Sequence, residues 1–187
     1  HTGKARVFVS EEAAIKAIKQ GQIQQGDIMV IIGGGPSGTG MEETYQLTSA
    51  LKHISWGKTV SLITDARFSG VSTGACLGHV APEALAGGPI GKLRTGDVIE
   101  IVVDRLSLKG SVNFIGSAQA RLTPEEGATV LAERELHPDL KPHDYLPDDT
   151  RLWAALQAVS GGTWKGCIYD TDKIIEVINA GKKALGL

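Results

Sequence analysis

Short apolar runs alternate with helix-prone polar stretches at the start of the chain. Polar and apolar β-formers alternate over Arg6 to Val9, which predicts a first strand. Ser10 then precedes two glutamates and apolar residues at helical spacing, so it is a suitable N-cap for a helix that ends near Gly21. The continuous apolar run from Asp27 to Ile32 has the length of a buried strand. This region is therefore predicted to be a β–α–β unit.

The glycine-rich segment GGGPSGTG, Gly33 to Gly40, follows the second strand and precedes a helix predicted over Met41 to Ile54. Such loops bind anions when their backbone N–H groups converge with the positive end of a helix. No Lys-Ser or Lys-Thr follows the last glycine, so the phosphate-loop motif is not met, and a purely structural turn is the alternative. Glu42 and Glu43 are predicted in the first turn of the helix, where carboxylates complement the helix dipole.

A second apolar strand, Ser61 to Thr64, runs into a polar loop that is a candidate site of chemistry. Asp65 could orient a base or cap a turn. Arg67 could bind a substrate carboxylate with two hydrogen bonds, or pair with Asp65. Ser69 precedes Gly70, which permits close approach of another molecule, but a serine hydroxyl needs an activating partner and none is adjacent in sequence.

The next segment predicts further strands with few helices between them. A short helix with Pro82 in its first turn is predicted over His79 to Ala86. Val98 to Val103 reads as a strand, and Leu106 to Phe114 as a further short strand. The pattern predicts an α/β fold with a small mixed sheet or barrel flanked by helices.

The composition changes after residue 122. A capping-box-like start predicts a helix over Thr123 to Leu136, and a linker rich in proline and aspartate follows from His137 to Asp149. Amphipathic helices are predicted over Arg151 to Val159 and over Asp170 to Leu187. We therefore divide the chain into a domain of residues 1–136 and a helical C-terminal extension of residues 137–187. Trp153 and Trp164 are expected to anchor this extension on the domain or on a partner domain.

Composition narrows the function classes. The 187 residues are 42% hydrophobic and 21% charged, with a formal net charge of −2, so neither nucleic acid nor an anionic membrane is favoured as a partner. Cys76 and Cys167 lie far apart, which is typical of a reducing cytoplasm. Cys76 and His79 have metal-like spacing, but two ligands do not make a zinc site, and packing is the simpler interpretation. A start without Met that runs at once into a strand suggests part of a longer chain.

Four ordered motifs carry a resemblance to a known family. They are GGGPSGTGMEE at Gly33 to Glu43, TSAL at Thr48 to Leu51, SLITDARFSGVSTGACLGHVAPEA at Ser61 to Ala84, and GGPIGKLRTGDVIEI at Gly87 to Ile101. Together they resemble the C-terminal domain of the dihydroxy-acid and phosphogluconate dehydratase family, over about Ala5 to Val112. The tail, from LWAALQAVSGG onward, is most similar to aldonate-type members that act on xylonate.

The resemblance implies a hydro-lyase that converts a 2,3-dihydroxy acid into a 2-keto-3-deoxy acid. In the family an iron–sulfur cluster acts on the leaving C3 hydroxyl, Mg²⁺ holds the substrate, and a serine takes the C2 proton. Ser69 matches that serine, and Glu43 matches the Mg²⁺ ligand that this domain contributes. Arg67, Gly70 and Ser72 are the implied substrate-binding residues. The cluster cysteines and the other Mg²⁺ ligands belong to an N-terminal domain.

The resemblance also implies a swivelling β/β/α domain that closes over the N-terminal domain of the same polypeptide. The implied full-length enzyme is cytoplasmic and homo-oligomeric, and its substrate is a sugar acid, with D-xylonate as the first choice. Branched-chain dihydroxy acids and 6-phosphogluconate are the alternative substrates. Two alternatives to a catalytic domain remain open, which are an anion-binding or interaction module built on Gly33 to Gly40 and a purely structural swivelling domain.

Overall fold

A six-stranded mixed sheet forms the centre of the computed structural model, which describes all residues from His1 to Leu187. The strands are β1 (Thr2–Phe8), β2 (Ile28–Ile31), β3 (Glu43–Thr44), β4 (Ser61–Thr64), β5 (Arg67–Phe68), β6 (Cys76–Leu77), β7 (Asp97–Asp104) and β8 (Lys109–Ser117). The α-helices are α1 (Glu11–Lys19), α2 (Pro36–Thr39), α3 (Gln46–Lys52), α4 (Pro124–Glu133), α5 (Asp148–Val159) and α6 (Thr171–Leu185).

The sheet has the strand order β6-β4-β2-β1-β7-β8. Strands β1, β2, β4 and β6 are parallel, whereas β7 pairs antiparallel with β1 and β8 pairs antiparallel with β7. Every residue of β2 and β4 is buried. This burial is expected for the central strands of a parallel sheet covered on both faces, and it explains their continuous apolar sequences. The predicted mixed α/β fold is confirmed.

Two hydrophobic clusters cover the two faces of the sheet. Along β2, Ile28 and Val30 belong to one cluster, and Met29 and Ile31 belong to the other. Successive side chains of a strand point to opposite faces, so this short run supplies both cores. The carboxyl ends of β2 and β4 are thereby held rigidly, and the loops that follow them start from fixed positions.

Several predicted helices are confirmed, together with their caps. The Ser10 side chain accepts the backbone N–H of Ala13 at 3.1 Å and caps α1. Thr123 and Glu126 form the predicted capping box at the start of α4. Helix α6 lies where the periodicity places it, whereas α5 begins at Asp148, before the predicted start at Arg151, so the linker without regular structure ends at residue 147 and not at Asp149. No helix combines the length and apolar composition required to cross a membrane.

The prediction of one helix over Met41 to Ile54 is wrong at its start. Gly40 and Met41 have left-handed φ angles of 73° and 65°, which a helix cannot continue through. Strand β3 comes next, and α3 begins only at Gln46. Glu42 and Glu43 therefore do not lie in the first turn of a helix, and the predicted helix-dipole role for them is also wrong.

The short helix predicted over His79 to Ala86 is a single 3-10 turn, Ala84–Ala86. His79 has a φ of 55°, so its backbone does not belong to a right-handed helix. The strand predicted over Leu106 to Phe114 is shifted and forms β8. In both cases the sequence pattern predicts an element that overlaps the observed one. The surrounding backbone conformation decides where that element begins and ends.

The C-terminal extension packs on the glycine-rich loop through a contact between α5 and α2. Trp164 is 72% exposed, so it does not anchor the extension on this domain, and Trp153 is only half-buried. Helix α6 has no fully buried residue. The division of the chain at residue 136 stays a prediction.

Candidate active site

A two-stranded parallel ribbon, β3 with β5, brings the candidate residues together. Glu43 lies opposite Arg67 in this ribbon, and Thr44 lies opposite Phe68. The backbone N–H of Ser69 donates to the carbonyl of Thr44 at 3.3 Å, which extends the pairing by one residue. Residues from two distant motifs are therefore neighbours, although the sequence predicted a helix where β3 lies.

Arg67 lies at the surface, where it contacts Met41 and Glu43 and not Asp65. Its Nε donates to the carbonyl of Met41 at 2.8 Å, and its guanidinium lies 3.9 Å from a Glu43 carboxylate oxygen. The predicted alternative of an Arg67–Asp65 pair is wrong, because Asp65 is buried and its carboxylate binds backbone amides. The side chains of Arg67 and Glu43 are 53% and 41% exposed, so their ion pair is worth at most about 1 kcal/mol and is easily exchanged.

The loop after β5 presents Ser69 beside open space. The only hydrogen bond of the Ser69 hydroxyl within this chain is from the backbone N–H of Val71, at 3.5 Å. A Cβ added at Gly70 would meet no atom within 4 Å. No basic side chain of this chain bonds the Ser69 hydroxyl, so the chain itself provides no activating partner for it in this geometry.

The same loop is tied to α3 on its other side. The hydroxyls of Ser72 and Thr48 lie 3.3 Å apart, and Lys52 Nζ donates to the carbonyl of Val71 at 3.2 Å. The Ser72 backbone N–H also donates to the Ser69 carbonyl at 2.9 Å. Thr48 and Lys52 were not predicted as site residues, and the TSAL motif was the available signal for Thr48. These contacts limit how far the loop can move from β3.

Asp65, at the end of β4, is a fully buried carboxylate that joins three chain segments. It accepts the backbone N–H groups of Gly33 at 3.3 Å, Gly34 at 2.9 Å and Ala84 at 2.8 Å. Burial raises the pKa of Asp65, and the hydrogen bonds from these amides oppose that rise. The carboxylate binds no basic side chain of this chain, and its amide partners lie 19 to 32 positions away, so Asp65 joins distant segments and does not cap the turn that follows its own strand.

Glu83 is a second buried carboxylate, which sequence reasoning missed. It accepts the Ser37 backbone N–H at 2.9 Å and the Ser37 hydroxyl at 2.7 Å. Burial raises the pKa of Glu83, and the neighbouring charge of Asp65 adds to the rise. A lone glutamate in the apolar run VAPEALA was the available signal, because a buried carboxylate requires hydrogen-bond donors nearby.

These two carboxylates occupy the amides that an external anion would need. Gly33, Gly34 and Ser37 donate their backbone N–H groups to Asp65 or Glu83. Helix α2 has only four residues, so its dipole is small. The backbone N–H groups of the glycine-rich loop are therefore already bound to carboxylates of the same domain. The structure argues against an anion-binding module at this loop.

A cleft of about 630 Å³ opens beside Glu43, at the carboxyl ends of β1 and β2. Its volume lies in the range of small-molecule sites. Residues from α1, the glycine-rich loop, β3 and the C-terminal linker line it, among them Ser10, Glu11, Lys16, Lys19, Gly33, Gly34, Glu42, Glu43 and His143. Charged groups of both signs therefore face the same space as the candidate metal ligand.

The side chains of this chain do not form a metal site by themselves. No group of three or more His, Cys, Asp or Glu side chains is arranged to hold a metal ion. Cys76 donates to the carbonyl of Thr73 and His79 is exposed, and that the pair forms no metal site stays a prediction. The half-exposed Glu43 carboxylate suits Mg²⁺ as one contributed ligand, because this ion takes one or two carboxylates and keeps several waters. The two free cysteines of the chain cannot hold an iron–sulfur cluster, which needs about four ligands.

Comparison with known proteins identifies the family of this chain. The family model "Dihydroxy-acid/6-phosphogluconate dehydratase C-terminal" matches residues 1–138. D-xylonate dehydratase YagF of Escherichia coli (strain K12) is 83% identical over 187 residues, which is 100% of this chain and 28% of that protein. D-xylonate dehydratase YjhG of the same strain is 68% identical over 176 residues, which is 93% of this chain and 27% of that protein.

A more distant relative is the dihydroxy-acid dehydratase of Lachnospira eligens. It is 49% identical over 129 residues, covering 67% of this chain and 23% of that protein. The chain thus spans less than a third of the length of each of these relatives. The match over residues 1–138 shows that the chain belongs to the C-terminal domain family of the dihydroxy-acid and 6-phosphogluconate dehydratases.

Proposed function

We propose that this chain is the C-terminal domain of a hydro-lyase that dehydrates a sugar acid, D-xylonate, to a 2-keto-3-deoxy acid. The observation that carries the proposal is the β3–β5 ribbon, which places Glu43 opposite Arg67 and joins Ser69 to Thr44. Metal ligand, anion-binding side chain and hydroxyl thereby share one exposed edge. The names of the two D-xylonate dehydratases, which match 100% and 93% of the chain, support the substrate.

The second half of the proposed site lies in the rest of the polypeptide. The chain accounts for 28% of the length of YagF, and its Ser69 hydroxyl has no activating side chain of its own. An N-terminal domain facing the ribbon would supply the cluster ligands and the remaining Mg²⁺ ligands. The chain His1–Leu187 alone is therefore expected to show no dehydratase activity.

Each residue of the ribbon has a distinct proposed role. Glu43 contributes one oxygen to Mg²⁺, and Arg67 exchanges its weak contact with Glu43 for the substrate carboxylate. Gly70 leaves room for the substrate, and Ser72 holds the loop while contacting the substrate from the same side. When bound beside this loop, Mg²⁺ supplies positive charge that lowers the pKa of nearby oxygen acids.

The proposed reaction breaks the C2–H and C3–O bonds of the substrate. The deprotonated Ser69 Oγ, as the base, takes the C2 proton and becomes a hydroxyl. The C3–O bond breaks, and the leaving oxygen receives that proton from the Ser69 hydroxyl and departs as water, which restores the deprotonated serine. The resulting enol then becomes the 2-keto-3-deoxy acid. General-base assistance of this kind accounts for about 10²- to 10⁴-fold in rate.

The test is Ser69→Ala in the full-length enzyme, with formation of 2-keto-3-deoxy acid from D-xylonate as the readout. Turnover is expected to fall about 10³-fold while the iron and Mg²⁺ contents stay unchanged. Ser49→Ala, at an exposed serine on α3, is the matched control and is expected to keep full activity. Retained turnover in Ser69→Ala would show that another group is the base.

A further inference from the structure

The C-terminal linker contributes a wall to the cleft that contains Glu43. The side chain of His143 lines this cleft together with residues of α1, β3 and the glycine-rich loop. His143 is exposed, so its ring is available to a bound molecule. The cleft therefore joins the candidate metal ligand to a side chain from outside residues 1–138.

Several contacts fix the linker against the body of the domain. The His137 backbone N–H donates to the carbonyl of Gly91 at 2.7 Å, and Leu140 packs on the main hydrophobic cluster. The His143 backbone N–H donates to the carbonyl of Gly38 at 2.8 Å. Leu140 also lies so close to Gly33 that an added Cβ there would be 2.9 Å from its methyl carbon. The position of His143 relative to the glycine-rich loop is thus set by backbone and core contacts on both sides.

The orientation of the His143 ring leaves one nitrogen for a ligand. The backbone N–H of Tyr145 donates to His143 Nδ1 at 3.3 Å, and the two rings pack with centroids 5.8 Å apart. An imidazole whose Nδ1 accepts a hydrogen bond carries its proton on Nε2 in the neutral form. Nε2 makes no hydrogen bond within this chain, so it is free to donate to a ligand oxygen.

The relatives differ in how much of the chain they match. The family model ends at residue 138, and the dihydroxy-acid dehydratase of Lachnospira eligens aligns with 67% of the chain. The D-xylonate dehydratases YagF and YjhG align with 100% and 93%. A sugar acid such as D-xylonate differs from simple dihydroxy acids in the hydroxyl groups beyond C3.

We infer that His143 is a specificity residue, whose Nε2 donates a hydrogen bond to a hydroxyl beyond C3 of the sugar acid bound in this cleft. This inference rests on the proposed dehydratase function. A donor fixed by the linker forms a hydrogen bond with substrates that carry a distal hydroxyl. It forms none with substrates that end in an alkyl group. The C-terminal extension thereby adjusts substrate choice without touching the groups that react.

The test compares two ligands in the full-length enzyme. D-Xylonate carries hydroxyls beyond C3, whereas 2,3-dihydroxybutanoate has none and serves as a competitive inhibitor. His143→Ala is expected to raise KM for D-xylonate about tenfold and to leave kcat within about threefold of wild type. The inhibition constant of 2,3-dihydroxybutanoate is expected to stay within about twofold. His143→Gln, which keeps a side-chain donor, is expected to recover most of the loss in KM.

His53→Ala provides the matched control, since His53 is an exposed histidine at the end of α3, away from this cleft. An unchanged KM in His143→Ala would overturn the inference while leaving the dehydratase proposal intact. Equal weakening of both ligands would also overturn it, because that result indicates general damage to the cleft. A wild-type enzyme that does not dehydrate D-xylonate would instead overturn the proposed function.

Discussion

Asp65 Oδ1 accepts the backbone N–H of Gly34 at 2.9 Å, which ties the end of β4 to the glycine-rich loop after β2. Its other oxygen accepts Gly33 and Ala84, so one buried carboxylate satisfies three amides. The chain then continues from this junction to both strands of the candidate ribbon. The geometry of Glu43 and Ser69 therefore depends on a residue that touches neither of them.

Asp65→Asn is expected to destabilise the domain by about 3 kcal/mol. The amide group of asparagine replaces one acceptor oxygen with N–H donors, which would face backbone N–H groups. Denaturant unfolding of the chain His1–Leu187 measures the change. Asp139→Asn is the control, because the Asp139 side chain is 75% exposed and its loss should cost less than about 0.5 kcal/mol. Equal stability of Asp65→Asn and wild type would show that the Asp65 carboxylate is not needed to hold the glycine-rich loop to the end of β4.

Glu83→Gln is expected to lower the free energy of unfolding, and the difference from wild type is expected to shrink as the pH rises. Burial raises the pKa of Glu83 above its ordinary value of 4.5, so the folded state keeps this proton to higher pH than the unfolded chain. The stability that Glu83 contributes is therefore complete below pH 4.5 and declines as the pH rises through the folded-state pKa. Glutamine does not titrate, so its variant lacks this decline. Unfolding free energies of both proteins between about pH 4 and 8 test the prediction, and a deficit that grows with pH would contradict it.

Glu43→Gln in the full-length enzyme is expected to raise the Mg²⁺ concentration for half-maximal activity about tenfold or more. Glutamine keeps the shape of the side chain but removes the negative charge that a hard cation prefers. Titration of the metal-depleted enzyme with Mg²⁺ measures the effect. Glu42→Gln removes a charge from the adjacent residue of the same cleft and should leave the Mg²⁺ dependence unchanged. An unaltered titration in Glu43→Gln would favour a purely structural role for this domain.

Substitution by alanine is expected to lower the stability of the domain at Gly38 but not at Gly70. A Cβ on Gly38 would lie 1.9 Å from the carbonyl oxygen of Gly33, so Gly38→Ala should cost about 3 kcal/mol or more in stability. A Cβ on Gly70 would meet nothing within 4 Å, so Gly70→Ala should change stability by less than about 0.5 kcal/mol. If substrate approaches Gly70, the same variant should lower kcat/KM of the full-length enzyme about tenfold.

Denaturation curves and steady-state kinetics of the two variants separate these effects. Wild-type kinetics in Gly70→Ala would show that the substrate does not pass this position.

Local patterns were sufficient for the secondary structure wherever the signal lies within one short segment of the chain. The apolar runs of β2 and β4, the Ser10 cap of α1 and the Thr123 capping box lie where they were predicted. Each depends on residues within a few positions of one another, so the information is present in a short window of sequence. The family resemblance added Ser69 and Glu43, whose roles residue patterns alone did not indicate.

Long-range contacts decided the candidate site. Glu43 was assigned to a helix by its neighbours, but pairing with Arg67 made it part of a strand. The partners of Asp65 and Glu83 lie in the glycine-rich loop, distant in sequence, and only folding shows that their carboxylates occupy its amides. The sequence by itself determined β2, β4, α1, α4 and the candidate residue types. The tertiary structure decided which residues meet, because buried polar groups find their partners across the fold and not along the chain.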